Sequence, residues 1–222
     1  MTQSLSDPDR VLALAYAPVD RRRALAALFG LDEALGQVVR GARDPLLCQM
    51  RLTWWHEALS GLGGGPAPSD PALVELIEAG VVPDMSGTAL AALVDGWEAL
   101  LEPDMTDDDL AAFAEGRGAR MFTLGAEMLG ADHPALDDAG RGWALCDLAR
   151  HSSDPALSAR ALAMAGRALR HAMDAAWPLR LRALGALAAL AQGDTVRGAD
   201  RLRPAGHPLR TLRALRHRLT GR

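Results

Sequence analysis

The spacing of apolar residues is the feature that most constrains the fold of this chain. Apolar residues recur three and four positions apart over most of the sequence, the period of a helix with one buried face. β-Branched residues are scarce, and no segment alternates between apolar and polar positions as a strand would. Ala and Leu fill most apolar positions, and both favour the helix. The sequence therefore predicts an all-α protein.

Breaks in this period divide the chain into about ten helices. Leu25, Leu28, Leu31 and Leu35 form the clearest one-sided stripe. Capping residues such as Thr106, and proline in the first turn of several segments, mark helix starts. The predicted helices span residues 9–17, 20–40, 44–59, 70–79, 86–101, 106–130, 133–150, 154–175, 177–191 and 208–219. No long linker separates them, so we expect residues 1–222 to form a single domain.

Composition narrows the function classes. The 222 residues include 24 Arg and no Lys against 28 Asp and Glu, for a formal net charge of −4. This balance disfavours a dedicated nucleic-acid-binding protein, and 49% hydrophobic residues exclude a disordered chain. Cys48 and Cys146 are too few for a disulfide scaffold or a zinc ribbon, which indicates a reducing cytoplasm. No signal peptide or membrane-spanning stretch is predicted, so we expect a cytoplasmic location.

Common catalytic motifs are missing from the sequence. It contains no GxGxxG turn, no P-loop, no HExxH pair and no GxSxG elbow. Each cysteine falls on an apolar helix face, which predicts a buried thiol rather than a nucleophile. Asp107, Asp108 and Asp109 follow Thr106 at a predicted helix start, where acidic side chains are favoured by the helix dipole. We interpret them as capping residues rather than as a metal site.

Two other segments carry candidate binding residues. Trp54 and Trp55 follow Arg51 and point about 100° apart on a helix, so one of them could line a groove. The local pattern favours the alternative, two core or interface aromatics with a solvated Arg51. In the second segment, Gly116 and Gly118 flank Arg117 inside a predicted helix. Glycines at such positions permit the close approach of either another helix or a ligand, and both readings stay open.

The predicted C-terminal helix, about residues 208–219, is basic and amphipathic. Its apolar stripe consists of Leu209, Leu212, Leu215 and Leu219. Its arginines are Arg210, Arg213, Arg216 and Arg218. We expect either a terminal bundle helix with a solvated basic face, or a surface for an anionic membrane or an acidic partner.

Four segments in this order resemble the squalene/phytoene synthase family. They are RRRALAALFGLDEALGQVV (21–39), RLTWW (51–55), DLAAFAEGRGA (109–119) and GWALCDLAR (142–150). The resemblance implies the isoprenoid-synthase fold, a helical bundle. Active members of that family condense two prenyl diphosphates head to head. Two Asp-rich motifs on facing helices hold the Mg²⁺ ions that bind the diphosphates.

This chain departs from the family pattern at both motifs. The first motif is expected at positions 36–40, where the sequence reads GQVVR and has no carboxylate. The second is expected from position 151, where HSSDP keeps only Asp154, better explained as a helix cap. The pattern is similar to the non-catalytic branch of the family, which includes the mitochondrial assembly factor for respiratory complex I. The resemblance therefore implies a binding or assembly protein without catalytic residues, metal or cofactor.

Two alternatives stay open. An active prenyl transferase would need Mg²⁺ and atypical ligands, with Asp32, Glu33, Asp147 and Asp154 converging on one cavity. A collapsed groove, without an apolar tunnel between the second, third and sixth predicted helices, would leave only the surface to function.

We expect a prenyl or lipid ligand, a respiratory-complex or other protein partner, and peripheral contact with the inner membrane. The candidate pocket residues are Glu33, Gln37, Arg51, Trp55, Glu115, Arg117, Arg120, Asp147 and His151.

Overall fold

The computed structural model describes residues 5–41, 44–65, 69–198 and 201–222. It is all helical over these residues, without a strand, which confirms the predicted fold class. No helix among them is long and apolar enough to cross a membrane. The α-helices are α1 (Pro8–Leu14), α2 (Arg22–Gly41), α3 (Pro45–Ser60), α4 (Pro71–Glu78), α5 (Gly87–Glu98), α6 (Asp107–Phe113), α7 (Arg120–Leu129), α8 (Leu136–His151), α9 (Pro155–Ala168), α10 (Arg182–Thr195) and α11 (Pro208–Thr220). Short 3₁₀ segments cover Ala99–Leu101 and Leu179–Leu181, and a π-helix covers Ala114–Ala119.

Several helix starts follow the predicted caps, whereas the predicted boundaries differ most from the structure at the end of α9 and the start of α10. Thr106 and Asp109 form a capping box at α6, and Asp154 caps α9. However, α9 ends at Ala168 rather than near 175. The next helix, α10, begins at Arg182 rather than 177. Pro178 has an extended backbone conformation, with ψ 150°, and the 3₁₀ segment Leu179–Leu181 follows it, so the α-helix begins only at Arg182.

The buried faces match the predicted stripe in α2 but not in α3. Leu25, Leu28, Leu31 and Leu35 of α2 are fully buried. In α3, by contrast, the helix period of the sequence predicts a buried stripe of Leu47, Met50, Trp54 and Leu62. This prediction is wrong, since Leu47, Met50 and Trp54 are exposed. The core side of α3 instead consists of Cys48, Leu52, Trp55 and Leu59. Both faces of α3 are apolar, so the period alone could not choose between them.

Glycines bring the π-helix into backbone contact with its two neighbours. A Cβ atom at Gly116 would lie 2.7 Å from the Cα of Gly96 in α5. A Cβ at Gly118 would lie 2.7 Å from the carbonyl carbon of Gly140 in α8. The close approach that Gly116 and Gly118 predicted is thus to helices. It leaves Arg117, the residue between them, in the centre of the bundle.

The C-terminal helix is turned opposite to the predicted orientation. Its core side consists of Arg210, Ala214 and His217, which are buried. Arg210 is therefore not a surface residue, and its prediction as one is wrong. Its guanidinium binds Asp9 at 2.7 Å and Asp194 at 2.6 Å. These two carboxylates compensate a buried charge that the hydrophobic period would have put in solvent.

Candidate functional site

A fully buried carboxylate, Asp32 of α2, lies at the centre of the candidate site. Its Oδ1 accepts hydrogen bonds from Trp97 Nε1 at 3.1 Å and from Arg117 Nε at 2.9 Å. Its Oδ2 accepts from Arg117 Nη2 at 2.9 Å and from Arg10 Nη2 at 2.6 Å. An ionised carboxyl group has about four lone-pair positions. All of them are occupied by donors from the protein.

Arg117 connects this carboxylate to a second one on the facing helix α8. Its Nη2 also lies 2.7 Å from Asp147 Oδ2. Its guanidinium carbon sits 4.2 Å from the ring centre of Trp97 and 4.8 Å from that of Trp143. Burial disfavours the charge, but Asp32 and Asp147 outweigh burial and raise the pKa of Arg117 above its usual value. Arg117 is thus a permanently charged internal counter-ion.

The same pairing keeps both carboxylates ionised. Burial favours the neutral form of Asp32 and Asp147, but Arg117 and Arg10 outweigh burial. They hold the pKa of each carboxyl group below its usual range. His151 reinforces the effect at Asp147, since its Nδ1 lies 3.5 Å from Oδ1. Two arginines and two aspartates therefore form a cluster without net charge.

A cavity of about 360 Å³ opens beside this cluster. Its wall comes from α1, α2, α5, the π-helix, α8 and the segment before α11. Its ionisable lining residues are Asp7, Asp9, Arg10, Asp32, Glu33, Arg40, Arg117, Asp147, Arg150 and His151. The groove expected between the second, third and sixth predicted helices is therefore displaced, because α3 packs against α5 and contributes nothing to this wall.

A second cavity, of about 270 Å³, shares part of the wall of the first. Arg40, Trp97, Arg117, Asp147 and His151 line both. The second cavity is more apolar, with side chains of Val39, Leu100, Met105, Phe113, Leu148 and Leu157. Together they offer a polar chamber next to an apolar one. The volume of the first falls in the range of small-molecule sites, and that of the second lies just below this range.

Among the described residues, Arg40 is the arginine of this wall that has no ion-pair partner. No carboxylate of the described residues lies within ion-pair distance of it. A Cβ atom at Gly36 would lie 2.8 Å from Arg40 Nη1 and 2.9 Å from the ring of Trp97. The guanidinium thus lies along α2, at the position where the resemblance places the first aspartate.

The carboxylates of this site do not fit a pair of Mg²⁺ ions. Magnesium needs carboxylate oxygens with free lone pairs, and those of Asp32 are all used. Glu33 Oε2 accepts from the amide and the hydroxyl of Ser6, at 2.9 and 2.8 Å, and its Oε1 accepts from the amide of Asp7 at 3.3 Å. Asp147 is held by Arg117 and faces His151. Among the described residues, no group of three or more His, Cys, Asp or Glu side chains is arranged for a metal.

Four of the predicted pocket residues come together in the structure. Glu33, Arg117, Asp147 and His151 all line the larger cavity. Of the acids that an active enzyme would need, Asp32, Glu33 and Asp147 converge on it as well. Asp154 does not, because its side chain caps α9 by accepting from the Ala156 amide at 2.8 Å.

Two predicted pocket residues lie on α3, away from both cavities. Trp55 is part of the hydrophobic core and packs edge-on against Trp54, with 5.3 Å between ring centres. Arg51 is exposed. The structure agrees with the alternative reading for Trp55, a core aromatic, and for the solvated Arg51, whereas Trp54, which that reading also placed in the core or an interface, is exposed.

Three further predicted pocket residues are exposed and do not line these cavities. They are Gln37, Glu115 and Arg120. Glu115 and Arg120 lie near Arg117 in the chain but on the outer side of the helical segment, and Glu115 pairs with Arg141 at 2.6 Å. At about 100° per residue, Glu115 lies on the opposite side of the helical segment from Arg117, so the turn that buries Arg117 directs Glu115 outward.

The cavity also contains residues that sequence reasoning missed. Arg10 gave no signal beyond a short amphipathic helix. Trp97 follows Gly96, and a glycine within an apolar helix is the same signal that marked Arg117. Position 40 was considered only because it lacks a carboxylate, although the positive charge of Arg40 is itself a signal for binding an anion. Arg150 pairs with Asp194 at 2.6 Å, a contact that needs the three-dimensional fold.

Fold and site together define a helical protein whose buried charge cluster lies beside an open cavity. The model of the squalene/phytoene synthase family matches residues 4–154. The chain therefore belongs to the squalene/phytoene synthase family. No curated protein and no solved structure matches it.

Proposed function

We propose that this family member is a non-catalytic binding protein whose chamber holds an anionic ligand with an apolar tail, without metal. One observation carries the proposal. Arg117, a residue of the chain itself, compensates the charges of both Asp32 and Asp147. In an active family member, Mg²⁺ would provide positive charge on the carboxylates and bind the diphosphate as well. Here the carboxylates are already satisfied.

The polar chamber supports a head group that is negatively charged. Arg40 has the cationic group available at the shared wall, and His151 lines the same wall. A guanidinium binds phosphate or carboxylate through paired hydrogen bonds, which are stronger than those between neutral groups. The adjoining apolar chamber would take a prenyl or acyl tail. The class of ligand is thus a prenyl phosphate or a lipid with a phosphate head group.

The alternative, an active head-to-head transferase, draws support from the convergence of Asp32, Glu33 and Asp147 on one cavity. It requires that these carboxylates exchange their protein donors for Mg²⁺. The four hydrogen bonds of Asp32 come from groups buried around it, so this exchange would leave two arginines uncompensated. We therefore favour the binding protein. The assembly role implied by the non-catalytic branch stays a prediction.

Calorimetric titration with a non-hydrolysable farnesyl diphosphate analogue tests the proposal. We expect the same affinity with Mg²⁺ as with EDTA. We also expect Arg40→Gln to weaken binding about tenfold or more, since hydrogen bonds to charged groups contribute roughly 1.5–3 kcal/mol. The matched control is Arg120→Gln, which removes an exposed arginine outside both cavities and should bind as the wild type does. Binding that requires Mg²⁺ would favour the transferase, and absence of binding in both buffers would refute the ligand class.

A further inference from the structure

The exposed side of α11 carries a stripe of leucines that no described part of the chain covers. Leu209, Leu212, Leu215 and Leu219 are 46%, 60%, 44% and 75% exposed. At about 100° per residue, the last three lie within about 60° of each other around the helix. They point away from Ala214 and the other buried residues of α11. Water-exposed leucines in a row are unfavourable unless something else covers them.

Arginines border this stripe on both sides. Arg216 follows one edge of the stripe together with Arg213, whose Nη1 donates to the carbonyl oxygen of Ala189 in α10 at 3.5 Å. Arg218 follows the other edge. Arg222 lies just beyond the end of the helix at Thr220. Arg213, Arg216 and Arg222 are exposed, and Arg218 is half-buried. The sequence of residues 201–222 contains seven arginines and no acidic residue, in a chain of net charge −4. The positive charge of this surface is therefore local.

Buried polar contacts fix the helix in this orientation. Arg210 is bound by Asp9 and Asp194. About two turns further along α11, the carbonyl oxygens of His217 and Arg218 accept hydrogen bonds from Arg182 Nη1 of α10, both at 2.9 Å. Turning the leucines inward would break these contacts and bury the flanking arginines. The leucine stripe is thus held outward by the fold.

We propose that the leucine–arginine face of α11 binds the surface of an anionic lipid bilayer. Leucines would enter the boundary between head groups and acyl chains, and the arginines would lie at the phosphates. A second copy of the chain fits less well, because pairing two α11 faces would bring their arginines together. An acidic peptide would satisfy the arginines but would leave the leucine stripe uncovered unless it were itself apolar.

The position of α11 connects this surface to the chamber. Pro204 and Ala205 line the larger cavity, and α11 begins at Pro208. Three residues of extended chain span at most about 11 Å. A bilayer bound at α11 would therefore lie near the wall of the chamber, although the bilayer proposal does not depend on what the chamber holds.

Vesicle sedimentation tests the proposal on the full chain. We expect binding to vesicles of phosphatidylcholine with phosphatidylglycerol, and little binding to phosphatidylcholine alone. Each arginine near an anionic surface contributes about fivefold to partitioning, so Arg213→Gln with Arg216→Gln should lower partitioning about 25-fold. The matched control, Arg51→Gln with Arg120→Gln, removes the same charge from exposed positions outside α11 and should change it little. Leu212→Gln with Leu219→Gln should abolish binding.

A fluorescent label tests whether the leucines themselves enter the bilayer. Cys48 and Cys146 are buried, so an environment-sensitive dye should react selectively at Leu212→Cys in the native protein. We expect its emission to shift to shorter wavelength on anionic vesicles, whereas a label at the exposed Leu179→Cys should not respond.

Three results would overturn the proposal. They are no binding to anionic vesicles, vesicle binding that is insensitive to both α11 double variants, and a response of the Leu212 label to poly-glutamate or to self-association alone. Circular dichroism and thermal unfolding establish that each variant is folded before it is scored.

Discussion

Replacing Asp32 with Asn tests whether the buried ion cluster determines the stability of the site. The substitution keeps the shape of the side chain but removes its charge. It leaves Arg10 and Arg117 with only Asp147 and the partly exposed Asp7, which lies 3.7 Å from Arg10. The amide nitrogen of Asn would also face guanidinium N–H groups, so a donor would meet a donor.

The expected cost is about 3–5 kcal/mol, the usual effect of removing one partner of a buried ion pair. Urea unfolding followed by circular dichroism at 222 nm measures it. The control is Glu78→Gln, because Glu78 pairs with Arg23 at 2.8 Å with both side chains more than half exposed. Such pairs contribute about 0–1 kcal/mol. If Asp32→Asn costs no more than Glu78→Gln, the reasoning about the cluster is refuted.

A double-mutant cycle isolates the pairing of Asp32 with Arg117. Each single change leaves a buried charge uncompensated, whereas changing both together, Asp32→Asn with Arg117→Gln, removes opposite charges. We expect the double variant to lose less stability than the sum of the single variants, by about 0.5–3 kcal/mol. Additive losses would mean that the two side chains do not depend on each other.

Three further predictions concern packing, titration and thiol reactivity. Gly118→Ala should lower the unfolding free energy by about 1–3 kcal/mol, because a Cβ there meets backbone atoms of α8. The control is Gly41→Ala, which has open space around it and should be neutral or slightly stabilising. Equal effects of the two substitutions would contradict the close packing of the π-helix against α8. Burial, with Arg182 nearby, lowers the pKa of His217 to about 4, so the unfolded chain takes up this proton first as the pH falls below about 6.5. Stability should therefore decrease between pH 6.5 and 4, by about 2 kcal/mol at pH 5, and His217→Leu should lack this part of the decrease. Native protein should react slowly with Ellman's reagent, since Cys48 and Cys146 are buried and burial raises the pKa of both thiols; two rapidly reacting thiols without denaturant would contradict this.

The sequence predicted those parts of the fold in which apolar side chains are buried and polar side chains lie at helix ends or on the surface. In α2 the leucines are buried and the helix period identifies them. At α6 and α9, the predicted capping side chains of Thr106 and Asp154 accept hydrogen bonds from backbone amides of the first helical turn. The family resemblance, carried by residues 21–150, agrees with the family match over 4–154.

The remaining parts could not be predicted because charged residues occupy buried positions. Arg210 and His217 are on the core side of α11, so the spacing of its apolar residues predicts the wrong side of this helix as buried. Arg117 was singled out only through its neighbouring glycines. Its depth depends on a π-helical turn and on carboxylates from α2 and α8, which are 85 and 30 positions away in the sequence. Contacts of that range have no local signature.

Release of inorganic diphosphate from farnesyl diphosphate in the presence of Mg²⁺ tests the central claim most directly. The account predicts no release above the rate without protein, because Asp32 and Asp147 are bound by Arg117 rather than available to a metal. Asp147→Asn should leave this background unchanged. Mg²⁺-dependent release over many turnovers, abolished by Asp147→Asn in a folded variant, would contradict the account and establish an active transferase.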